Sequence, residues 1–537
     1  MKFLITILLF TGTLLSAQMD TFRVEIEPLT FDNSPGVHSG ALATYNGKWI
    51  YIGGRINGLH GFLSPFAFPS DGKNENVYVI DPGTRQVWSG SIASLSENLY
   101  EPLTSSNIPF CQDENALYMA GGYGWSNAAN NFKTFPVLTR VDLACIHDAV
   151  INGSDLTGCF RQMTDSLLAV TGGHLKKADD AFYLVFGHRF DGIYSVLNPG
   201  NSSHVQTYSN EIRKFQVEDD GTNMSLTNYT ALRDTVNFHR RDYNLVPQIF
   251  PDLSFGFTAF SGVFQYNSLL PYLSTIDIKN GQSALVPGFD QHLSQYHSAV
   301  MPVYDSLNNV MHNFFFGGMS RFTIDTATAE MVDDTLVPFV KTISSVTRFG
   351  DGTLQENQLD ISFQNYLGTN MEFIPASGIP MLKDNIVDVN KITGNKTLAG
   401  YLFGGIKSPE ANISATAPAS SEANTEIFAV YISRADEDSS TVSNGKYISN
   451  LPLDAFSCYP NPATTSITLE FDLNEPGKVQ LAAFTRKGEL LAALANKNFP
   501  AGKNVITWNT SGIAAGTYHV RAKMKNSTKT ISVIIKP

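Results

Sequence analysis

Residues 295–322 read QYHSAVMPVYDSLNNVMHNFFFGGMSRF: a strand, a turn, a second strand and a glycine pair. Side chains alternate between the two faces of a strand, so the consecutive Phe314, Phe315 and Phe316 put apolar surface on both. A strand buried on both faces needs a packed layer on each side. Gly317 and Gly318 stop the run where a residue without Cβ permits positive φ and a close backbone approach. The phrase recurs along the chain as WIYIGG (49–54), LYMAGG (117–122), YLVFGH (183–188), FTAFSG (257–262), FFFGG (314–318) and YLFGG (401–405). A fixed anchor at unequal spacing implies equal cores with variable loops. Periods of tens of residues mark an array of one supersecondary unit, and four strands per unit mark the blades of a propeller.

The rest of the chain supports an all-β reading. Hydrophobic residues make up 43% and charged residues 16% of the 537 positions, with 42 Gly and 25 Pro, a profile of many short strands and turns and of at least two domains. The net charge of −12 carries no long single-sign block, which argues against nucleic acid as a partner. Residues 1–17 combine one Lys, an apolar run from Phe3 to Leu15, and small residues at Ser16 and Ala17, the pattern of a signal peptide, with a membrane anchor as the alternative. No later stretch is long and apolar enough to span a bilayer, so no transmembrane segment is expected in the mature chain. Export permits disulfides. The favoured pair among four cysteines is Cys145 with Cys159, clasping a hairpin across the turn-rich HDAVINGSDLTG; the alternative is free thiols throughout.

Hairpin turns of Asn-Gly, Asp-Gly and Pro-Gly type punctuate the units at 46–47, 82–83, 220–221, 280–281 and 351–352. The sixth unit ends at a third strand, 426–434, which runs into a polar linker at 435–454, while an unpartnered alternating strand, 21–30, precedes the first unit. The expectation is that strand 21–30 completes the sixth blade and closes the ring. With its six strands halted by Gly-Gly or a variant, the segment 18–434 resembles the kelch β-propeller family, six-bladed with seven as the rival count.

After residue 455 the texture changes to six or seven short strands, the pattern of a small Ig-like β-sandwich. The Pro460-Asn461-Pro462 entry, Gly516-Thr517-Tyr518, and the basic, apolar end from Lys529 to Lys536 resemble the C-terminal sorting domain of the type IX secretion system. That resemblance implies the type IX machinery as a partner and a route through the periplasm to the outer surface or the medium. Five Asp-Ser/Thr-apolar tripeptides, beginning at Asp165, Asp234, Asp305, Asp325 and Asp334, resemble O-glycosylation sites of such exported chains or are plain turns.

In an antiparallel blade the start of strand one, the end of strand two and the loop joining strands two and three share one face. Strand-one starts then bring His38, Tyr100, His174, His239, Arg240 and His297 to one mouth of the channel, and strand-two ends bring Arg55, Tyr123, His188, Arg189 and Arg321, with Trp125 beside them. Arg and His suit anionic or polyhydroxyl groups and aromatic rings stack on sugars, so this loop-rich mouth is the expected cradle for a carbohydrate or protein ligand. The same side chains could instead tie blades together. An enzyme class shares the mouth as the alternative: a carbohydrate-active oxidase, sialidase or lyase. Oxidases of the galactose oxidase kind join a Cys to a copper-ligating Tyr, but Cys111 is expected in a turn on the opposite face. No metal spacing, nucleophile elbow or P-loop occurs, so neither metal, cofactor nor catalytic set is assigned.

Overall fold

The computed structural model describes residues 22–61, 67–194, 204–325, 330–412, 420–434, 446–448, 453–473, 476–485, 490–524 and 527–536. The leader expected at 1–17 and most of the linker at 435–454 lie outside them. Strands dominate, and the two α-helices, Glu97–Leu103 and Leu143–Asn152, are short.

Six units, each built on four antiparallel strands, follow one another along the chain; the fifth gains Val387–Asp388, parallel to its first strand, and Lys446–Ile448 at its outer edge, and the sixth gains Glu422–Ala423. Their first strands are Ala41–Tyr45, Phe110–Asp113, His174–Ala178, Asn244–Ile249, Ala299–Asp305 and Tyr366–Pro375, and the units are called sheets one to six in that order. In sheets one to five the four strands pair in chain order. In sheet six the fourth strand comes from the other end of the chain: Phe22–Leu29 lies antiparallel to Ile427–Arg434, in register from Phe22 opposite Arg434 to Leu29 opposite Ile427. Phe22 and Val24 are buried against Met301, Phe314 and Phe316 of sheet five, while Glu25 and Glu27 on the opposite strand face both hold Lys396 Nζ at 2.7 Å. Alternation of apolar and acidic residues in FRVEIEPL is what allows one face to pack and the other to stay wet.

A hydrophobic cluster joins each sheet to the next. Ile50 and Val79 meet Leu117 and Ile146 between sheets one and two, and Ala120 and Leu138 meet Leu175 and Phe182 between two and three. Val185 meets Phe257, Phe260 meets Phe315, and Phe316 meets Leu402 at the next three junctions. Trp49 and Ile80 of sheet one then pack on Phe403 and Ile427 of sheet six, so the sequence of contacts returns to its start.

The glycine pairs sit at these junctions. A glycine amide at each of five junctions donates to a carbonyl on or leading into the next sheet: Gly54 to Ser105 (2.7 Å), Gly122 to Val170 (3.0 Å), Gly187, here followed by His188 and preceded by Phe186, to Arg240 (2.9 Å), Gly318 to Leu367 (3.0 Å) and Gly405 to Val37 (2.9 Å). Between sheets four and five the Asn244 side chain does this work, donating to Gln295 O (2.9 Å) and accepting from the Ser298 amide (3.0 Å). A Cβ on Gly121 or Gly317, both at positive φ, would stand 1.9 Å from that neighbouring carbonyl oxygen. The repeat is therefore a backbone-to-backbone dock that a side chain would hold apart.

The disulfide Cys145–Cys159 is formed, with Cα atoms 5.3 Å apart. It clasps the helix Leu143–Asn152 rather than the expected hairpin. Asp142 caps that helix by accepting from Cys145 N (3.0 Å), and Gly153 ends it at φ 66°, so the Asn-Gly that reads as a turn is a helix stop. Cys111 and Cys458 are free.

Residues 453–535 form two further antiparallel sheets, Leu453–Tyr459, Ser466–Leu473 and Gly502–Asn509 in one, and Leu490–Phe499, Gly477–Thr485, Gly516–Met524 and Ser527–Ile535 in the other. Phe471 and Leu469 of the first pack on Leu481, Ala483 and Val520 of the second.

Candidate functional site

Two or three residues before each of the first five first strands, and within the sixth, stands a residue in the left-handed region: Ser39 (φ 61°), Asn107 (51°), Gly172 (64°), Asp242 (52°), His297 (52°) and Asn370 (58°). Four of their amides donate to the equivalent carbonyl of the preceding sheet: Asn107 to Ser39 (2.8 Å), Gly172 to Asn107 (3.0 Å), Asp242 to Gly172 (2.8 Å) and Asn370 to His297 (2.6 Å). This belt narrows the passage between the first strands at the loop-rich end.

Above the belt the loops of sheets one to three supply rings. Phe68, Tyr123, Phe190 and Tyr194 form one buried cluster, with His60 stacked on Phe68 at 4.3 Å. His38 and Arg55 form a bridge pair; His38 Nε2 donates to Asn57 O (2.8 Å), and Arg55 donates to Pro69 O (2.7 Å) and Asn57 Oδ1 (3.0 Å). Burial, with Arg55 adjacent, pulls the His38 imidazole down to about 3, and burial brings Arg55 down to about 10. Tyr123 donates to Gly192 O (2.6 Å), and His188 is buried with Nδ1 on Gln206 Nε2 (2.6 Å). The mouth is thus packed with the protein's own polar and aromatic groups.

The other expected residues divide. Trp125 is 38% exposed, its indole N–H on Asn127 Oδ1 (3.0 Å). Arg189 is exposed and donates to Asp191 (2.6 Å), while Arg321 forks onto both carboxylate oxygens of Asp333 at 2.7 Å. His239 lies flat on Tyr208 at 3.6 Å, and His297 Nδ1 is 3.7 Å from Asp242 Oδ1. Arg240 is fully buried within sheet four, donating to Asn237 O, Ser261 O, Ser274 O and Ser274 Oγ and lying 4.0 Å over the Tyr272 ring, so it offers nothing to a ligand. Its neighbour Arg241 is the one that reaches the mouth, paired with Asp242. Tyr100 belongs to the helix Glu97–Leu103, not to a strand start.

The open space lies beyond the belt. A cavity of about 720 Å³ runs between the first strands of all six sheets and opens among the turns at 46–47 and 82–83 and the segment 377–385, the end opposite the loop-rich mouth. Phe110, Phe373 and Tyr401 bring apolar surface, and Gln112, Lys176, Glu372, Asp384 and Asn385 bring polar groups. Lys176 Nζ is 3.7 Å from Asp384. Burial pushes the Glu372 carboxyl up to about 7, against the pull of Lys176. Cys111 also lines this cavity, in the strand Phe110–Asp113 rather than in a turn, and burial pushes its thiol upward. None of these residues carries a spacing signature, because they come from sheets two, three and six, far apart in the chain.

The whole is an all-β, disulfide-bonded chain that ends in a separate two-sheet module. Residues 457–536 match the family model described as a secretion system C-terminal sorting domain. Such a tail directs export by the type IX machinery, and the chain is a secreted or cell-surface protein. No helix among the described residues is long and apolar enough to cross a membrane. No curated protein matches the chain. Among solved structures, YjhT is similar at 12% identity and a TM-score of 0.35, over 60% of this chain and 84% of that one. Sucrose-6-phosphate hydrolase from Lactobacillus gasseri is similar at 10% identity and a TM-score of 0.28, over 94% and 89%. A glycoside hydrolase family 43 arabinoxylan arabinofuranohydrolase from Bacillus subtilis, in complex with cellotetraose, is similar at 11% and 0.25, over 94% and 95%. At these scores the likenesses assign neither a fold family nor an activity.

Proposed function

We propose that the chain is an exported binding protein whose six sheets are the blades of a kelch-like β-propeller, residues 18–434, followed by an Ig-like sorting sandwich, and that it holds a carbohydrate in the cavity along its axis. The return of packing from sheet six to sheet one supports the ring. The observation that carries the site is the cavity of about 720 Å³ lined by the first strands of all six sheets, within the range that small-molecule sites occupy. Rings at Phe110, Phe373 and Tyr401 suit sugar faces, and amides, carboxylates and Lys176 suit hydroxyls. A second reading keeps the ligand on the loop-rich rim, supported by the exposed Trp125 and Arg189.

A glycan array on the full exported chain, followed by calorimetry and a turnover assay on each hit, tests this. Thr44, an exposed residue on the cavity wall, is the place to block it. Thr44→Trp should weaken a glycan hit by roughly tenfold or more, about 1.4 kcal/mol, while Trp125→Ala leaves it unchanged. The reverse pattern overturns the axial site in favour of the rim, and cleavage of the bound glycan would make the protein an enzyme.

A further inference from the structure

Beside the axial cavity, sharing His174, Asn244, Ser298 and Glu372 with its wall, lies a chamber of about 70 Å³ bordered also by Asp242, His297 and Asn370. The chemistry of its wall is one-sided. Asp242 Oδ1, Ser298 Oγ and Asn370 Oδ1 are buried oxygens without a hydrogen-bond partner, and Asp242 and Ser298 are each 8% exposed. Glu372, on the first strand of sheet six, makes no hydrogen bond or salt bridge among the described residues. The nearby cations are engaged: Arg241 holds Asp242 through Oδ2, and Lys176 faces Asp384. His174 spends Nε2 on Tyr243 O (2.7 Å), and His297 Nδ1, at 3.7 Å from Asp242 Oδ1, is beyond hydrogen-bonding distance.

A buried polar oxygen left unpaired costs about 1–3 kcal/mol. Such a wall suits a species that brings positive charge and needs no acceptor of its own. The chamber is too small for a sugar, since a water alone takes about 30 Å³. The buried side-chain atoms left unpaired on its wall, Asp242 Oδ1, Ser298 Oγ and Asn370 Oδ1, are oxygens, the donors of a hard cation rather than the nitrogen and sulfur that transition metals prefer. We propose that the chamber binds a hard cation of the calcium class through Asp242, Ser298, Asn370 and Glu372, with water completing the six to eight oxygens such an ion takes. These donors come from sheets four, five and six, so no local spacing in the sequence announces them. The inference rests on the axial-cavity reading only in that the ion enters through that cavity; ion binding is read without any glycan.

The test strips the full chain with chelator, then titrates calcium, magnesium and sodium by calorimetry and by melting, with metal analysis after dialysis. Calcium should raise the melting temperature, with about one ion retained per chain. Glu372→Gln should bind calcium at least roughly tenfold more weakly. Ser298→Ala should weaken binding by a smaller factor. No retained calcium and no melting shift at millimolar ion, or a shift unchanged in Glu372→Gln, would overturn the site and leave the chamber to water. Failure of the glycan experiment with success here would remove the sugar and keep the ion.

Discussion

Placing a methyl group at Gly121 tests how the sheets are joined. Gly121 sits at φ 64°, and its added Cβ would lie 1.9 Å from Val170 O, where ordinary contact begins near 3.4 Å. The left-handed backbone alone costs an alanine about 1–2 kcal/mol. Relieving the overlap means moving sheet three away from sheet two, which breaks the Gly122 to Val170 bond (3.0 Å) inside the junction. Leaving that pair unmet adds about 1–3 kcal/mol, so Gly121→Ala should lose about 3–5 kcal/mol by urea denaturation. Gly281 is the control: its φ is 72°, and nothing lies within 4 Å of its Cβ. Gly281→Ala should lose only the backbone cost, about 1–2 kcal/mol. Equal losses in the two variants would refute the docking role of the glycine pair and leave only its conformational freedom.

Other outcomes follow from the same structure. Reducing Cys145–Cys159, or replacing both by Ser, opens a loop with a sequence separation of 14 and should lower stability by about 3 kcal/mol, read as a fall in melting temperature that reductant reproduces in the wild type. Stability should peak near pH 6.5 in melts taken from pH 4 to 8. His38, His60, His174 and His312 are held neutral by burial, down to about 3, 4, 3 and 4, so the unfolded chain takes up more protons as pH falls below 6.5 and stability drops. Glu356 and Glu372 are held protonated by burial, up to about 8 and 7, so their contribution is lost as pH rises above the ordinary carboxylate range; a flat profile would contradict both assignments. Deleting 455–537 should leave a folded, disulfide-bonded product in the periplasm, measured by fractionation, and its appearance in the medium would remove the tail from export.

The glycine pairs were readable because glycine recurs at one structural position in every unit, with Phe186 and Ser261 taking the left-handed place beside it in only two. The belt was not readable. Its six left-handed positions carry Ser39, Asn107, Gly172, Asp242, His297 and Asn370, so the shared conformation leaves no shared letter. That is why the loop-rich mouth read as open when His60, Phe68 and Tyr194 fill it, and why the cavity on the other side went unseen. Arg240 and Arg241 are adjacent and alike in sequence; only the fold decides that the first is spent on carbonyls inside sheet four and the second on Asp242 at the mouth. The helix Leu143–Asn152 was hidden because its C-cap, Asn152-Gly153, uses the same residues as a hairpin turn.

The ring depends on the two ends of the segment 22–434 meeting, and hydrogen exchange on the full chain measures that meeting directly. The alternate amides of Phe22–Leu29 that face Ile427–Arg434 should exchange far more slowly than an unstructured peptide, because the two strands pair residue for residue. Exchange of 22–29 at the rate of an unstructured peptide, while the six first strands stay protected, would contradict the closure and with it the axial site.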